Sequence, residues 1–425
     1  MIQFEPVLTK GIGKVDLTNI DVYEAQGGYQ ALRKALAMEP QAIVEEVKKA
    51  NLRGRGGAGF PAGVKWSFLP NDGRPRYLTV NADESEPGTC NNRTLIYANP
   101  HQLIEGILIT AYANRITQSF IYIRGEFKRG AEILMKAIED ARRKGYVGQN
   151  ILGTGFSQEI TVHRGASAYI CGEESALLNS LEGRRGEPRV KPPFPAVVGL
   201  YGCPTIINNV ETISNVPHII KNGWEWYTKI TANPDNPKSC GPKIFTVSGC
   251  VQRPGNYELP MGVKLRDVIE IAGGLRPGRK LKAVQPGGSS TPMLTPDHLD
   301  VPMDFESVAA AGSLLGTAAV IVYDDTVDLV DVALYWARFY SHESCGQCTP
   351  CREGTHWLER VFTRIKEGGG TEGDLKMIAD MQTQMAGTTI CVLSDAAVAF
   401  PASLLKLFPE ELDRYINRVK EVRPA

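Results

Sequence analysis

Between Tyr77 and Leu181 short β-rich runs alternate with longer stretches of helical period. Arg76–Asn81 (RYLTVN), Ser119–Arg124 (SFIYIR) and Glu159–Arg164 (EITVHR) predict strands, each followed by a helical segment: HQLIEGILITAYA, EFKRGAEILMKAIEDARRK and EESALLNSL. In the second helix Ile133, Leu134, Ala137, Ile138 and Ala141 mark one buried face, because these spacings return to the same side of a 3.6-residue turn. Strand–helix alternation of this kind predicts βαβ units on a parallel sheet. A Pro- and Asn-rich linker from Thr231 ends this α/β region, which takes residues 1–240 with a helical preface.

The period then changes. Two β-type runs flank Pro254-Gly255, a short helix VKLRDVIEIA stops at Gly273-Gly274, and AVIVYDD returns to strand character, so residues 241–325 read as a small β-plus-helix domain. From Val327 the pattern is helical to the end: VDLVDVALYWARFY, REGTHWLERVFTRIKEG, TEGDLKMIADMQTQMA, and a pair around SDAAVAF and PEELDRYINRV. Gly368-Gly369-Gly370 stops one helix, and Thr371 with Asp374 has the spacing of a cap for the next, so residues 326–425 read as a helical bundle.

Composition narrows the function. The 425 residues carry 47 Lys plus Arg against 47 Asp plus Glu, and a formal charge of zero lacks the basic excess of a nucleic-acid binder. The start, MIQFEPVLTKGIGKV, has no targeting pattern, and the longest apolar run, Val308–Tyr323, is broken by Gly312, Ser313, Gly316 and Thr317 and too short for a membrane span. A reducing, cytoplasm-like setting is expected. There, nine cysteines suggest metal or redox chemistry more than disulfides.

Four of the nine form a pattern. Cys345, Cys348 and Cys351 give C-x2-C-x2-C in a loop between predicted helices, and Cys391 follows in GTTICVLSD. Three thiolates from one tight loop and a fourth from elsewhere suit a four-iron, four-sulfur cluster. A zinc site, which normally adds a second two-ligand element, and free thiols are the alternatives. Cys90, Cys171, Cys203, Cys240 and Cys250 lack ligand spacing and read as small packed hydrophobes.

Leu52–Pro61 (LRGRGGAGFP) contains G-x-G-x-x-G at Gly54, Gly56 and Gly59, but a helical AIVEEVKKA precedes it where a dinucleotide fingerprint needs a strand. The ordinary Rossmann assignment of this motif is therefore rejected. With Arg53, Arg55 and Lys65 nearby, the loop suits backbone N–H approach to a phosphate or flat ring, or is a surface turn. Asn81–Thr89 (NADESEPGT) follows the first strand, where α/β folds bind ligands; its carboxylates could take a metal, hold ribose hydroxyls or face solvent. Gly172-Glu173-Glu174 opens a helix, where acids favour the helix dipole. Arg184, Arg185, Arg189 and Lys191 form a basic loop that is either a solvated charge run or a phosphate contact.

Taken in order, GRGGAGFPAGVKW, NADESEPGTC, YICGEESALLNSLEGRRGEPRVKPPFP, NNVET and ESCGQCTPCREGT resemble the flavin-bearing, NADH-oxidising F subunits of respiratory complex I, over nearly the whole chain. The resemblance implies a Rossmann-like α/β FMN domain that also binds NADH, a ubiquitin-like β-grasp (SLBB) domain and a C-terminal four-helix bundle with one 4Fe-4S cluster. It implies FMN contacts at Gly54, Gly56, Gly57, Lys65, Asn81, Asp83, Asn208 and Asn209, with further cofactor contacts at Tyr169, Gly172 and Glu173. Phe60, Phe68 and Phe194 are the implied aromatics around NADH, Glu174 the ribose-binding carboxylate that favours NAD over NADP, and Glu86 the acid beside nicotinamide and flavin. Glu86 and Lys65 are the positions assigned to catalysis, and Cys345, Cys348, Cys351 and Cys391 to the cluster.

The chain departs from its likeness at Asn91-Asn92-Arg93, where relatives commonly carry Lys-Asp-Arg. The implied chemistry is hydride transfer from NADH to FMN, then single-electron steps to the cluster and onward toward quinone. The implied partners are a thioredoxin-like two-iron subunit (E type) and a large multi-cluster subunit (G type), in the peripheral arm on the cytoplasmic side of a bacterial inner membrane, with no span in this chain. A diaphorase component of an NAD-linked hydrogenase or formate dehydrogenase shares these motifs; a non-catalytic zinc-stabilised ligand-binding module is a more distant alternative.

Overall fold

A computed structural model describes residues 4–422. Four helices, Ile20–Ala25, Gln30–Leu36, Pro40–Lys49 and Ala62–Trp66, precede the first sheet. That sheet has β1 (Tyr77–Ala82), β2 (Gln118–Ile123), β3 (Ile160–Arg164) and β4 (Thr205–Asn209), all parallel, in the order β3-β2-β1-β4. The chain steps outward from β1 to β3 and then returns to the other side of β1. This reversal is the topological switch point of a Rossmann-like sheet, and a crevice opens there because successive crossovers leave on opposite faces.

Local sequence explains most of these elements. Helix Lys128–Arg143 buries Leu134, Ala137, Ile138 and Ala141, with Ile133 half-buried, as the stripe requires. Helix Pro100–Asn114 is buried on nearly every side, which fits its almost unbroken apolar run. β4 lies outside the strands that periodicity predicts. Its run TIINN is short and ends in polar residues, and only pairing with β1 (Ile206 opposite Leu78, Asn209 opposite Asn81) defines it.

The second sheet contains β5 (Pro242–Gly249), β6 (Gly255–Pro260), β7 (Leu281–Gln285) and β8 (Ala319–Asp324) in the order β6-β5-β8-β7. β5 and β8 are parallel, the outer pairs are antiparallel, and helix Leu265–Ile271 links β6 to β7, a β-grasp arrangement. Buried charge ties the helix after β4 to the second sheet. Glu211 on helix Val210–Asn222 pairs with Lys243 on β5, both side chains fully inaccessible, and accepts from the Ile244 N–H at 2.9 Å. Removing one partner of such a pair leaves an uncompensated buried charge, at a cost of about 3–5 kcal/mol.

The C-terminal region is helical: Leu329–Glu343, Thr349–Arg364, Glu372–Met385 and Leu393–Leu407 form the bundle, and Pro409–Val422 packs against it. The Thr371/Asp374 pair is a capping box, with the Thr371 N–H donating to Asp374 Oδ2 at 2.7 Å. Among the described residues, no helix is long and apolar enough to cross a membrane.

Candidate functional site

The carboxyl ends of β1 and β4, the glycine loop and the 3-10 turn Tyr169–Gly172 meet at the switch point. They bound a cavity of about 1470 Å³ that continues along the β-grasp domain and helix Leu393–Leu407. Its wall includes Arg55, Gly56, Gly57, Asn81, Asp83, Glu86, Tyr169, Gly172, Glu173 and Asn209. Gly54, Phe60, Lys65, Phe68, Glu174, Phe194 and Asn208 lie off this wall.

The glycine loop sits between helices, as its flanks predict, and is pinned at its base by the Gly54 N–H donating to Phe60 O at 2.9 Å. A Cβ on Gly56 would stand 3.0 Å from Asn209 Cβ, whereas Gly57, at φ +139°, faces open space. The loop thus brings backbone to the cavity edge without side chains filling it. Arg55, 1% exposed, donates to Tyr227 Oη at 3.0 Å and Cys240 O at 2.7 Å, but its Nε and Nη1 have no partner.

Asn81 donates to Gly172 O at 2.8 Å and accepts from the Asp83 N–H at 3.0 Å, so it joins the two ligand-like turns. Burial pushes the Asp83 carboxyl up to about 7, with Arg124 offsetting part of the effect, and its Oδ2 has no partner. Glu86 accepts from Tyr169 Oη at 2.6 Å and the Ser290 N–H at 2.8 Å; burial still pushes its carboxyl up. Asn208 is committed to Trp66 Nε1 at 2.9 Å, and Asn209 caps helix Val210–Asn222.

Beside the cavity, Lys65 donates to Glu174 at 2.8 Å and to Ile207 O at 3.0 Å, and Lys191 bridges Glu173 at 2.8 Å and Glu174 at 2.9 Å. Burial alone would raise the Glu174 carboxyl, but the two ammonium groups hold it down to about 2. Glu173 caps helix Glu174–Leu181 by accepting from the Ser175 and Ala176 N–H groups. Phe60, Phe68 and Phe194 are about half exposed, and the Phe60 and Phe68 rings lie 6.1 Å apart. Of the basic loop, only Lys191 reaches this carboxylate cluster. Arg189 is a strut to Asn179, Gly199 O and Glu182; Arg184 is exposed, and Arg185 reaches Cys345 O at 2.6 Å.

The departure at Asn91-Asn92-Arg93 has a structural account. Arg93 pairs at 3.2 Å with the buried Glu84, which accepts the Asn92 N–H at 2.7 Å at the start of helix Asn91–Ala98. Asn91 donates to Glu211, already matched by Lys243, so a neutral amide avoids setting two cations against one carboxylate. Both Asn Oδ1 atoms are buried, without a partner, and both residues line the cavity.

Cys345, Cys348, Cys351 and Cys391 surround a second, tight cavity with Ile170, Pro188, Ile390 and Leu393. Cys348 is the N-cap of helix Thr349–Arg364, Cys351 lies in its first turn, and Cys391 precedes helix Leu393–Leu407. Helix N-termini favour negative charge, which suits thiolate ligands and an anionic cluster. Burial pushes the Cys391 thiol up to about 12, so its ligand form needs a metal beside it. Among the described residues no three His, Cys, Asp or Glu side chains are grouped closely enough to hold one metal ion, while the four thiols that line this pocket are of the donor type that 4Fe-4S clusters use. Ile170, Cys391 and Leu393 line both cavities.

Sequence reasoning misses Ser289 and Ser290, which donate to Glu86 from the β-grasp region, and Tyr340 of the helical region, which contacts Ser289. The Gly287-Gly288-Ser289-Ser290 run is the available signal: small residues that allow close backbone approach.

The Nuo51 FMN-binding domain matches residues 47–218, the SLBB domain residues 244–294, and the NADH-ubiquinone oxidoreductase-F iron-sulfur binding region residues 331–415. The NADH-quinone oxidoreductase F subunit of Streptomyces coelicolor is 51% identical over 97% of this chain and 91% of its own length. The F 2 subunit of the same enzyme from Rhizobium meliloti is 51% identical over 97% and 98%, respectively. A crystal structure of an NAD+-reducing [NiFe]-hydrogenase in the H2-reduced state superposes with a TM-score of 0.85 at 36% identity, covering 97% of this chain and 67% of that one. With half its residues identical over nearly its full length, the chain belongs to the family of NADH-quinone oxidoreductase F subunits.

Proposed function

We propose that the protein is the NADH-oxidising flavoprotein component of an NADH-quinone oxidoreductase. The observation that carries this reading is the shared wall: the switch-point cavity and the four-cysteine pocket are separated by Ile170, Cys391 and Leu393. The cavity fits FMN in size and donor set. It offers open glycine backbone at Gly57 and unpartnered polar atoms on Arg55, Asp83, Asn91 and Asn92. When bound, FMN supplies hydride acceptance from NADH, and the 4Fe-4S cluster supplies one-electron acceptance.

The chain's own residues do the rest. Gly54, Gly56, Gly57, Lys65, Asn81, Asp83, Tyr169, Gly172, Glu173, Asn208 and Asn209 would hold the flavin nucleotide, as contacts or by fixing the turns that make them. Glu174, tied to Lys65 and Lys191, presents a carboxylate to a ribose and repels a 2′-phosphate. Exposed Phe60, Phe68 and Phe194 offer stacking faces to NADH. Glu86 keeps a buried acid at the cavity, and Lys65 orients Glu174. Cys345, Cys348, Cys351 and Cys391 would ligate the cluster. Residues 1–240, 241–325 and 326–425 are the corresponding FMN- and NADH-binding, β-grasp and cluster domains.

As one component of a larger oxidoreductase the protein has partner subunits. We propose a thioredoxin-like two-iron subunit and a large multi-cluster subunit, at the cytoplasmic face of a bacterial inner membrane. A diaphorase role toward a hydrogenase is the second reading, favoured by the superposition on the NAD+-reducing enzyme. An anaerobic absorption spectrum before and after NADH, with iron and sulfide analysis, tests the proposal. A yellow chromophore bleached by NADH in protein holding four irons is expected; colourless protein with one zinc would refute it.

A further inference from the structure

Glu86 stands where three regions meet. It follows β1, yet two of its hydrogen-bond donors come from the loop after β7: the Ser290 N–H at 2.8 Å and Ser289 Oγ at 3.1 Å, both to Oε1. A third, Tyr169 Oη, holds Oε2 at 2.6 Å. Ser289 has one proton, which it gives to Glu86, so the 2.9 Å contact between Ser289 and Tyr340 must use the Tyr340 proton. Tyr340 lies on helix Leu329–Glu343, immediately before the cysteine loop, and three residues on Glu343 accepts the Tyr169 N–H at 2.9 Å. The chain of donors therefore runs from the cluster helix through the β-grasp loop to the acid.

The loop is built to be rigid. Gln285 donates to Ser289 O at 3.1 Å and Thr291 O at 3.0 Å, and its own oxygen accepts from Tyr323 Oη at 2.6 Å and Trp336 Nε1 at 3.1 Å. At Gly288, with φ +102°, a Cβ would lie 2.6 Å from Glu86 Oε1, so the loop backbone is in direct contact with the carboxylate. A tie made only to hold domains together would not need to end on an acid that lines the cavity; this one does, and it fixes both carboxylate oxygens.

We propose that the β-grasp loop Gln285–Thr291 and helix Leu329–Glu343 complete the flavin site by positioning Glu86, with Ser289 and Tyr340 as positioning residues. This rests on FMN occupying the cavity, so flavin content is measured first. Absence of flavin sinks the functional reading; flavin present with the outcomes below reversed sinks only the positioning.

The test is a double-mutant cycle on the purified holoprotein, read as the flavin midpoint potential by absorbance and as NADH oxidation with a one-electron dye acceptor. Ser289→Ala and Tyr340→Phe should each lower kcat by about 3- to 10-fold, the worth of about one ordinary hydrogen bond, with KM for NADH within about twofold and FMN content unchanged. Both should also shift the flavin potential, and Ser289→Thr, which keeps the hydroxyl, should restore parental values. In a Glu86→Gln background neither substitution should add more than about twofold or shift the potential again, because residues acting through one group are not additive. Equal losses in both backgrounds, or parental rate and potential in Ser289→Ala and Tyr340→Phe alike, would overturn the proposal. Should Ser289→Ala fail to fold, Tyr340→Phe alone carries the cycle.

Discussion

The two cavities lie on either side of the turn Tyr169–Gly172 and are built on opposite rules. The cysteine pocket takes three of its four donors from seven consecutive residues, sets Cys348, Cys351 and Cys391 at helix starts and packs aliphatic side chains around them. The crevice collects its groups from the glycine loop, the ends of β1 and β4, the 169–174 turn and a loop of the β-grasp domain, and ties them to one another. Soft, covalent-strength ligation needs only the right atom at the right spacing, so a local motif suffices. Recognition of a flat, polar nucleotide needs many weak contacts on several sides, and no single segment can supply them.

The largest effect should come from the cysteine side. Cys348→Ser should leave bleaching of the flavin by NADH within about twofold of parent but cut transfer beyond it by about 100-fold or more, measured by anaerobic stopped flow. Equal loss of both would erase the division of labour between the cavities.

Asp83→Asn tests the burial strain of the crevice. The group's pKa is raised from 3.8 to about 7 in the folded protein, so its ionisation penalises folding increasingly as pH rises across that window and not below it. The variant should therefore be more stable than the parent by up to about 4 kcal/mol at pH 8 and equal to it near pH 4, in urea titrations of flavin-stripped protein. A gain at low pH instead would contradict the sign.

Glu174→Gln should cost roughly 10- to 100-fold in kcat/KM for NADH and narrow the preference over NADPH, since Lys65 and Lys191 then face one carboxylate fewer. Unchanged preference would remove Glu174 from ribose recognition. The smallest effect belongs to Thr371→Ala, which removes a helix cap in the bundle away from both cavities. It should lower stability by about 1 kcal/mol in denaturant titrations without changing iron content, separating the bundle as scaffold from the cysteines as site.

The legibility of the sequence follows the same divide. Strands β1, β2 and β3, the amphipathic helix Lys128–Arg143 and the Thr371/Asp374 cap are local patterns, and they appear where periodicity and capping chemistry put them. β4 and β7 escape because their runs are short and only a neighbouring strand gives them meaning. The basic loop misleads for a related reason: Arg189 is available for phosphate by composition but is spent on Glu182 and Asn179, which is a fact of packing.

By itself the sequence determined the cysteine set, the order of three regions and the turns that follow the sheet strands, because spacing and period act over a few residues. Only tertiary structure decided that Glu86 is held by donors from two regions and braced through Ser289 from the third, that Asn91 meets an already neutralised Glu211, and that one turn divides flavin cavity from cluster pocket. Those depend on contacts between residues up to about two hundred positions apart, whose free energy exists only after the chain has closed the loops between them.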